Sequence, residues 1–236
     1  MPYSRDLSRF FSTKRLVIVC VFILTFSGCA TFSSGIEGTF NQPATKNVNA
    51  RPVKILIVQR HLRQTLGLDA IPKLENKYQI MNGFDDLLLD AMNEFSNVKR
   101  WSSFTEFSSD ISDSKRLDEK DSLIASHDFV IRIEFKKEKS FVRYFLGTMG
   151  STLSATLLPI PYTQDYYMNT DVFNANGHLL KHYERHASTT KWVELFLFPI
   201  YPFHTEKRKT EDIYVDFLHD VFRQIEAEQV LVLNQP

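Results

Sequence analysis

Three histidines recur every four residues in the sequence, a spacing that could bind a metal ion on a helix. They are His178, His182 and His186, in the segment HLLKHYERH. On a helix these side chains would lie on one face, where their imidazole nitrogens could share a zinc ion. An Asn-Ala-Asn-Gly sequence precedes the segment and favours a β-strand, in which positions four apart are separated by about 13 Å. We therefore predict a row of separate histidines on one sheet face and no metal site.

A second group of reactive side chains consists of the carboxylates Asp86, Asp90 and Glu94, again four residues apart. Paired carboxylates can act as general acid and base in hydrolysis. Amphipathic helices also place acids on their solvated side, and acids in the first turn favour the positive end of the helix dipole. The sequence has no Gly-x-Ser-x-Gly elbow, phosphate-binding glycine loop or His-Glu-x-x-His motif. We predict no catalytic residues and no bound cofactor, with a hydrolase using these acids or the histidine row as the alternative.

The chain has two cysteines, Cys20 and Cys29, and the first lies inside the apolar run Leu16–Phe26. Four basic residues precede this run: Arg5, Arg9, Lys14 and Arg15. A run of 11 apolar residues fits the centre of an export signal and is too short to span a bilayer as a helix. We therefore predict that residues 1–28 are an export signal, with a membrane anchor or a secretory signal cut elsewhere as the alternatives.

The segment Phe26-Ser27-Gly28-Cys29 resembles a lipobox, the motif of bacterial lipoproteins. Ser27 and Gly28 match its small residues, and Phe26 replaces the usual aliphatic one. The resemblance implies cleavage between Gly28 and Cys29, with N-acyl (palmitate-type) and S-diacylglycerol lipid on Cys29 as the covalent modification. Ala30, where Asp would favour retention in the inner membrane, implies an outer-membrane lipoprotein facing the periplasm. The inner membrane and the cell surface are the alternatives.

The charge of the chain argues against nucleic acid as a partner. The sequence has 28 basic and 28 acidic residues. Residues 1–28 contain four basic residues and one acidic residue, so the remainder has 24 basic and 27 acidic residues, a net charge of −3. Proteins that bind nucleic acid carry the opposite excess.

The expected domain organisation has three parts. The signal over residues 1–28 is followed by a lipidated tether over residues 29–52 and a single domain over residues 53–236. Residues 30–52 are rich in Ser, Thr, Asn, Gly and Pro without a sustained period, which is typical of a flexible linker. A random coil of 23 residues would reach about 25–30 Å and hold the domain away from the bilayer.

The domain is predicted to have the α/β (α+β-like) class, with a single mixed sheet of three to five strands packed by two or three helices. The predicted order is β-α-β-α-β-β-β-α. Strands are expected at Val53–Gln59, Val98–Phe107, Phe129–Phe135, Asp165–Phe173 and Leu179–Trp192, and helices after Asn82, within residues 114–127 and from about Thr210. The strand at 129–135 alternates strictly, which predicts a sheet with one open face.

This order, behind a lipobox and a polar tether, is similar to the small α/β domain of several envelope proteins. They are the amino-terminal domain of the Tol-system propeller protein, the curli secretion lipoprotein and the lipoprotein activators of penicillin-binding proteins. The resemblance covers residues 53–230 and implies an architecture without a specific function.

Two segments are unusually apolar. Tyr144–Tyr162 contains 19 residues without a charge, and Trp192–Phe203 is rich in aromatic residues. They could pack over the sheet as loops or short helices. Alternatively, Trp192, Tyr201 and Phe203 could form a contact surface for lipid headgroups or a protein partner.

These features favour a membrane-tethered lipoprotein that acts as a non-enzymatic binding or accessory protein of the envelope. Its predicted partners are the membrane, through the lipid anchor, and an envelope protein. The alternatives are the hydrolase named above and a subunit of a lipoprotein assembly or secretion complex.

Overall fold

The structure is a computed structural model of the chain. It describes residues 28–43, 46–47, 49–66, 72–76, 83–139, 149, 160–194 and 205–233. None of the helices within these ranges is long and apolar enough to cross a membrane.

The described residues form one mixed sheet of seven strands. The strands are β1 (Gly28–Ser33), β2 (Val53–Leu66), β3 (Pro72–Asn76), β4 (Val98–Thr105), β5 (Phe129–Lys139), β6 (Ile160–Asn174) and β7 (Leu179–Glu194). Their spatial order is β1-β7-β6-β5-β2, and β2 then pairs with β4 along its first half and with β3 along its second half. The β4-β2 and β2-β5 pairs are parallel, and the others are antiparallel.

The described part of the chain contains the α-helices α1 (Phe84–Ala91), α2 (Ser114–Ala125) and α3 (Glu206–Ala227). Short 3₁₀ turns occupy Met92–Glu94 and Ser108–Ser112. Helix α2 begins at the side chain of Asp113, which accepts bonds from two backbone N–H groups of the first turn. These groups have no partner within the helix, so the carboxylate stabilises its start.

The main core lies between one sheet face and helices α1 and α3. Strand β5 contributes alternate buried side chains, and α3 contributes an apolar stripe at helical spacing. The buried residues of these two elements include Phe129, Ile131, Ile133, Phe135, Ile213, Phe217, Leu218, Val221, Phe222 and Ile225. Both sets were expected from the sequence pattern, and the structure confirms them.

A second, smaller core lies on the opposite sheet face under α2. It consists of Leu56, Val58, Phe104 and Val130, with Leu123 and Ile124 of the helix packed against it. Strand β5 is therefore covered on both faces where it begins, and Val130 is buried. On the face of this strand that was predicted to be open, Val130 is buried and the half-buried positions start at Arg132.

The α/β class is correct, but the predicted number of three to five strands is too low. The predicted order is found from β2 onwards, with β3 inserted after β2 and β1 added before it. Strand β1 has the sequence GCATFS, and β2 continues past Gln59 through polar residues. Neither segment has the run of apolar residues on which the prediction of strands depended.

The tether predicted for residues 29–52 differs from the structure. Residues 28–33 pair with β7. Several of the residues between β1 and β2 also contact the domain. The backbone N–H of Phe40 donates to the carboxylate of Asp220 on α3, and that of Asn47 to the carboxylate of Glu226. Gly38, at φ 83°, passes close to β7, where a Cβ atom would lie 3.1 Å from the carbonyl oxygen of Glu184. These contacts hold residues 38–47 against α3 and β7, although the polar composition of this segment predicts a coil.

Two local expectations can be compared with the structure at turns. The Asn174–Gly177 segment is a turn, with Gly177 at φ 76° and its N–H donating to the Asn174 carbonyl. Helix α1 begins at Gly83, at φ 83° and without a side-chain cap. Asn82, the residue predicted to cap this helix, lies outside the described residues.

Candidate functional site

The residue with the clearest predicted chemistry, Cys29, lies at a corner of the sheet. Strand β1 is an edge strand, and its second residue pairs with Val193 of β7, which pairs in turn with Ile160 of β6. We call this corner the Cys29 end of the sheet. It comprises residues 28–30 of β1, 160–162 of β6, 191–194 of β7 and 137–139 of β5.

Trp192, the first residue of the predicted contact surface, is part of the Cys29 end. It pairs with Ala30 on one side and with Pro161 on the other, one step along the strands from Cys29. Its side chain is half-buried. Tyr201 and Phe203, the other two residues of that surface, lie outside the described residues.

Helix α3 begins at the Cys29 end and is fixed there by its first residue. The carboxylate of Glu206 accepts from the ammonium of Lys137 at 3.2 Å and from the amide of Gln164 at 3.2 Å, and lies 3.5 Å from the ammonium of Lys191. Burial alone would raise the pKa of Glu206, but Lys137, Gln164 and Lys191 lower it below its usual value. One carboxylate therefore contacts three strands, β5, β6 and β7, and stays ionised.

Two further cations lie near this ion pair. The pKa of Lys139 is lowered, first by burial and then by the positive charges of Arg63 and Lys137, against the opposing effect of Glu206. Like charges lower the pKa of a lysine only when they lie close to it. The Cys29 end is thus rich in basic side chains, which the overall charge of the chain conceals.

The predicted histidine row lies on β7 or just before it, and two of its members pair with different carboxylates. His182 Nδ1 lies 2.6 Å from Asp171 Oδ1. His186 lies 3.0 Å from Glu37 and 3.5 Å from Asp165. Burial would lower the pKa of His186, but these two carboxylates raise it. The row is therefore on a strand, as expected, and His182 and His186 contact different carboxylates.

The predicted carboxylate row divides between two environments. Asp90 and Glu94 both contact His219 of α3, at 3.2 Å and 2.8 Å, and Glu94 also contacts Arg223 at 3.2 Å. Asp86 is exposed in the first turn of α1. The acids thus meet a histidine that the sequence pattern did not single out, and they do not meet the histidine row.

Within the ranges that the structure describes, no three His, Cys, Asp or Glu side chains are grouped so that they could hold a metal ion. The titratable groups occur as pairs and small clusters on different elements. The histidine pairs lie on the sheet between β6 and β7, and the His219 cluster joins α1 to α3.

A buried ion pair joins α3 to β7. Arg185 Nε donates to Asp220 Oδ2 at 2.5 Å, and the two side chains are 4% and 6% exposed. The remaining groups are bonded as well, since Phe40 N–H donates to both Asp220 oxygens and the Arg185 guanidinium donates to Gln224. Sequence reasoning missed this pair because its members are 35 residues apart on two elements.

Comparison with known proteins does not assign the chain to a family. No protein-family model matches the sequence, and no curated protein matches it. Among solved structures, the PelC dodecamer from Paraburkholderia phytofirmans is similar with a TM-score of 0.33 and 10% identity, covering 84% of this chain and 99% of that chain. A second PelC dodecamer from the same organism gives 0.31 and 8%, covering 83% and 98%. A likeness of this degree carries no conclusion about function.

Proposed function

We propose that this chain is a bacterial envelope lipoprotein, anchored through lipid on Cys29 and acting as a non-enzymatic binding or accessory protein. We place it at the periplasmic face of the outer membrane. The observation that carries the proposal is the position of Cys29. The cysteine of the lipobox-like segment stands at the corner of the sheet, so an acylated residue there would connect directly to the folded domain.

The pairing of β1 changes the expected relation between domain and membrane. A coil of 23 residues would let the domain move about 25–30 Å from its anchor. With residues 29–33 in the sheet, the proposed anchor is attached directly to the domain. We therefore expect the Cys29 end to rest on the leaflet that holds the lipid, with the opposite end of the sheet directed away from it.

The non-enzymatic part of the proposal is supported by the distribution of the reactive groups. The histidine row and the acidic row, each considered for a hydrolase, are separate and contact different partners. A hydrolytic site requires such groups to converge on one position. A tethered domain instead increases the local concentration of a binding surface near its partners.

The test of the anchor is the Cys29→Ser variant. We expect it to lose incorporation of labelled palmitate and to accumulate with residues 1–28 attached, because diacylglyceryl transfer requires the thiol. Labelling and the mass of the amino-terminal peptide are measured on the full chain in cells.

Cys20 provides the matched control, since it is the other cysteine of the chain. The Cys20→Ser variant should be labelled and cleaved like the natural chain. Undiminished label in Cys29→Ser, or loss of label in Cys20→Ser, would contradict the proposed anchor.

A further inference from the structure

The basic side chains at the Cys29 end continue onto the first turn of α3. Lys207, Arg208 and Lys209 follow Glu206 there, and Lys207 is 75% exposed. Together with the sheet residues, this gives seven basic side chains: Arg63, Lys137, Lys139, Lys191, Lys207, Arg208 and Lys209. We call them the basic cluster.

The acids close to the basic cluster are fewer. Glu206 contacts Lys137 and Lys191, Glu211 lies 3.7 Å from Lys207, and Asp212 lies 3.1 Å from Lys209. Glu75 of β3 stands opposite Arg63 in the register of β2. Among the described residues, the seven basic positions therefore have at least four acidic neighbours, and the basic side chains remain in excess. On the opposite face of the same strands, Glu138 pairs with Lys136 and Asp165 with His186, so these acids already have cations beside them.

This excess is opposite in sign to that of the chain after residue 28, which has a net charge of −3. The positive charge is thus concentrated at one end of an otherwise acidic domain. Lys191 stands two residues from the Val193 position that pairs with Cys29, about 8 Å away by strand geometry. The basic cluster and the proposed lipid anchor consequently share one end of the molecule.

We propose that the basic cluster binds the headgroup phosphates of anionic phospholipids and thereby fixes the orientation of the domain on the bilayer. The inference rests on the proposed function for the anchor, and the cluster provides the second contact. A lipid chain holds the domain at the surface but leaves it free to rotate. Basic side chains close to an anionic leaflet are attracted within about one Debye length, which is about 10 Å at 0.1 M salt.

The experiment measures how fast each lysine of the processed chain reacts with a membrane-impermeant amine reagent. The chain is incorporated into phosphatidylcholine vesicles or into vesicles with phosphatidylglycerol as one third of the lipid. We expect Lys191 and Lys207 to react about fivefold more slowly on the anionic vesicles, and high salt to abolish the difference. Equal rates on the two vesicle types would overturn the proposal.

Lys99 is the internal control. Lys99 is exposed on β4. The next residue, Arg100, pairs with Lys54 at the start of β2, so Lys99 lies at the end of the sheet opposite to the basic cluster. From Lys54 to Arg63 the strand advances nine residues, or about 30 Å. Lys99 should react at the same rate on both vesicle types, and equal protection of Lys99 would also overturn the proposed orientation.

A charge-reversal pair tests the cluster without weakening the fold. Lys207→Glu with Arg208→Glu places acids in the first turn of α3, where the helix dipole favours them, so the fold should be kept. We expect this variant to lose most of the protection of Lys191. Lys99→Glu with Arg100→Glu makes the same change of charge at the opposite end and should retain it. Equal loss in both variants would contradict a local contact.

The two proposals fail in distinguishable ways, because the mass of the amino-terminal peptide is measured in the same sample. If the chain is acylated but Lys191 is not protected, the proposed anchor stands and the proposed phospholipid contact is contradicted. If the chain carries no acyl group, the proposed anchor is contradicted, and protection of Lys191 on anionic vesicles would still support the phospholipid contact of the basic cluster. Protection by soluble polyphosphate without vesicles, equal to that on vesicles, would assign the cluster to a soluble polyanion and overturn the phospholipid proposal.

Discussion

Replacing Asp220 by alanine should lower the free energy of unfolding by about 3–5 kcal/mol, the largest effect that we expect from a single polar substitution in this chain. The variant leaves the guanidinium of Arg185, which is 4% exposed, without its carboxylate. It also removes the acceptor of the Phe40 N–H. A buried charge without a partner is unfavourable, so the decrease in the free energy of unfolding is larger than the contribution of the intact ion pair to stability.

Urea unfolding of the processed chain in a mild detergent, followed by tryptophan fluorescence, measures this change. Lys207→Ala is the control, since it breaks an exposed pair with Glu211 at 3.7 Å and should cost less than about 1 kcal/mol. Asp220→Leu combined with Arg185→Met should recover much of the loss, because it leaves no buried charge. A decrease below about 1 kcal/mol for Asp220→Ala would show that the pair is solvated.

The second prediction concerns pH, and we expect the chain to lose about 2 kcal/mol of stability through His61 between pH 8 and pH 5. The His61 ring lies against Phe135 at 4.9 Å and Phe84 at 5.4 Å. Burial lowers its pKa from 6.5 to about 4. The unfolded chain therefore takes up a proton near pH 6.5 while the folded chain stays neutral until about pH 4. This contribution is complete above pH 6.5 and decreases as the pH falls.

Urea unfolding at the two pH values measures the effect, and His61→Phe is the matched variant. Phenylalanine keeps an aromatic ring beside Phe84 and Phe135 and cannot be protonated. Carboxylates titrate in both proteins, so their effect cancels in the comparison. The variant should lose about 2 kcal/mol less than the natural chain, and an equal loss would mean that His61 is protonated in the folded state.

The elements that could be predicted from the sequence are those in which one face is apolar. Strand β5 and helix α3 have strong periods of two and 3.6 residues, and the residues that the pattern selects are buried. The strand state of the histidine row was also predicted, from the Asn-Gly turn before it. Strand β1 could not be predicted, since its pairing depends on backbone hydrogen bonds to β7 and not on its own side chains.

The candidate site was predictable in one respect. Cys29 was recognised from the residues beside it, because processing enzymes read a local sequence. The basic cluster combines residues from β2, β5, β7 and α3, which are far apart in the chain. The Lys-Lys-Glu-Lys and Glu-Lys-Arg-Lys runs at residues 136–139 and 206–209 are local signals of two of its parts, but only the topology shows that they lie side by side.

The pairing of β1 with β7 also has a consequence for biosynthesis. Cys29 pairs with Val193, so the first strand is synthesised, and on the proposed export route translocated, long before its partner. At about 5–20 residues per second, the delay is about 10–30 s. During that time the backbone of β1 lacks the hydrogen bonds of the sheet. The sequence of β1, GCATFS, consists mostly of small or polar residues. An unpaired strand of this composition is less prone to aggregate than a hydrophobic strand would be.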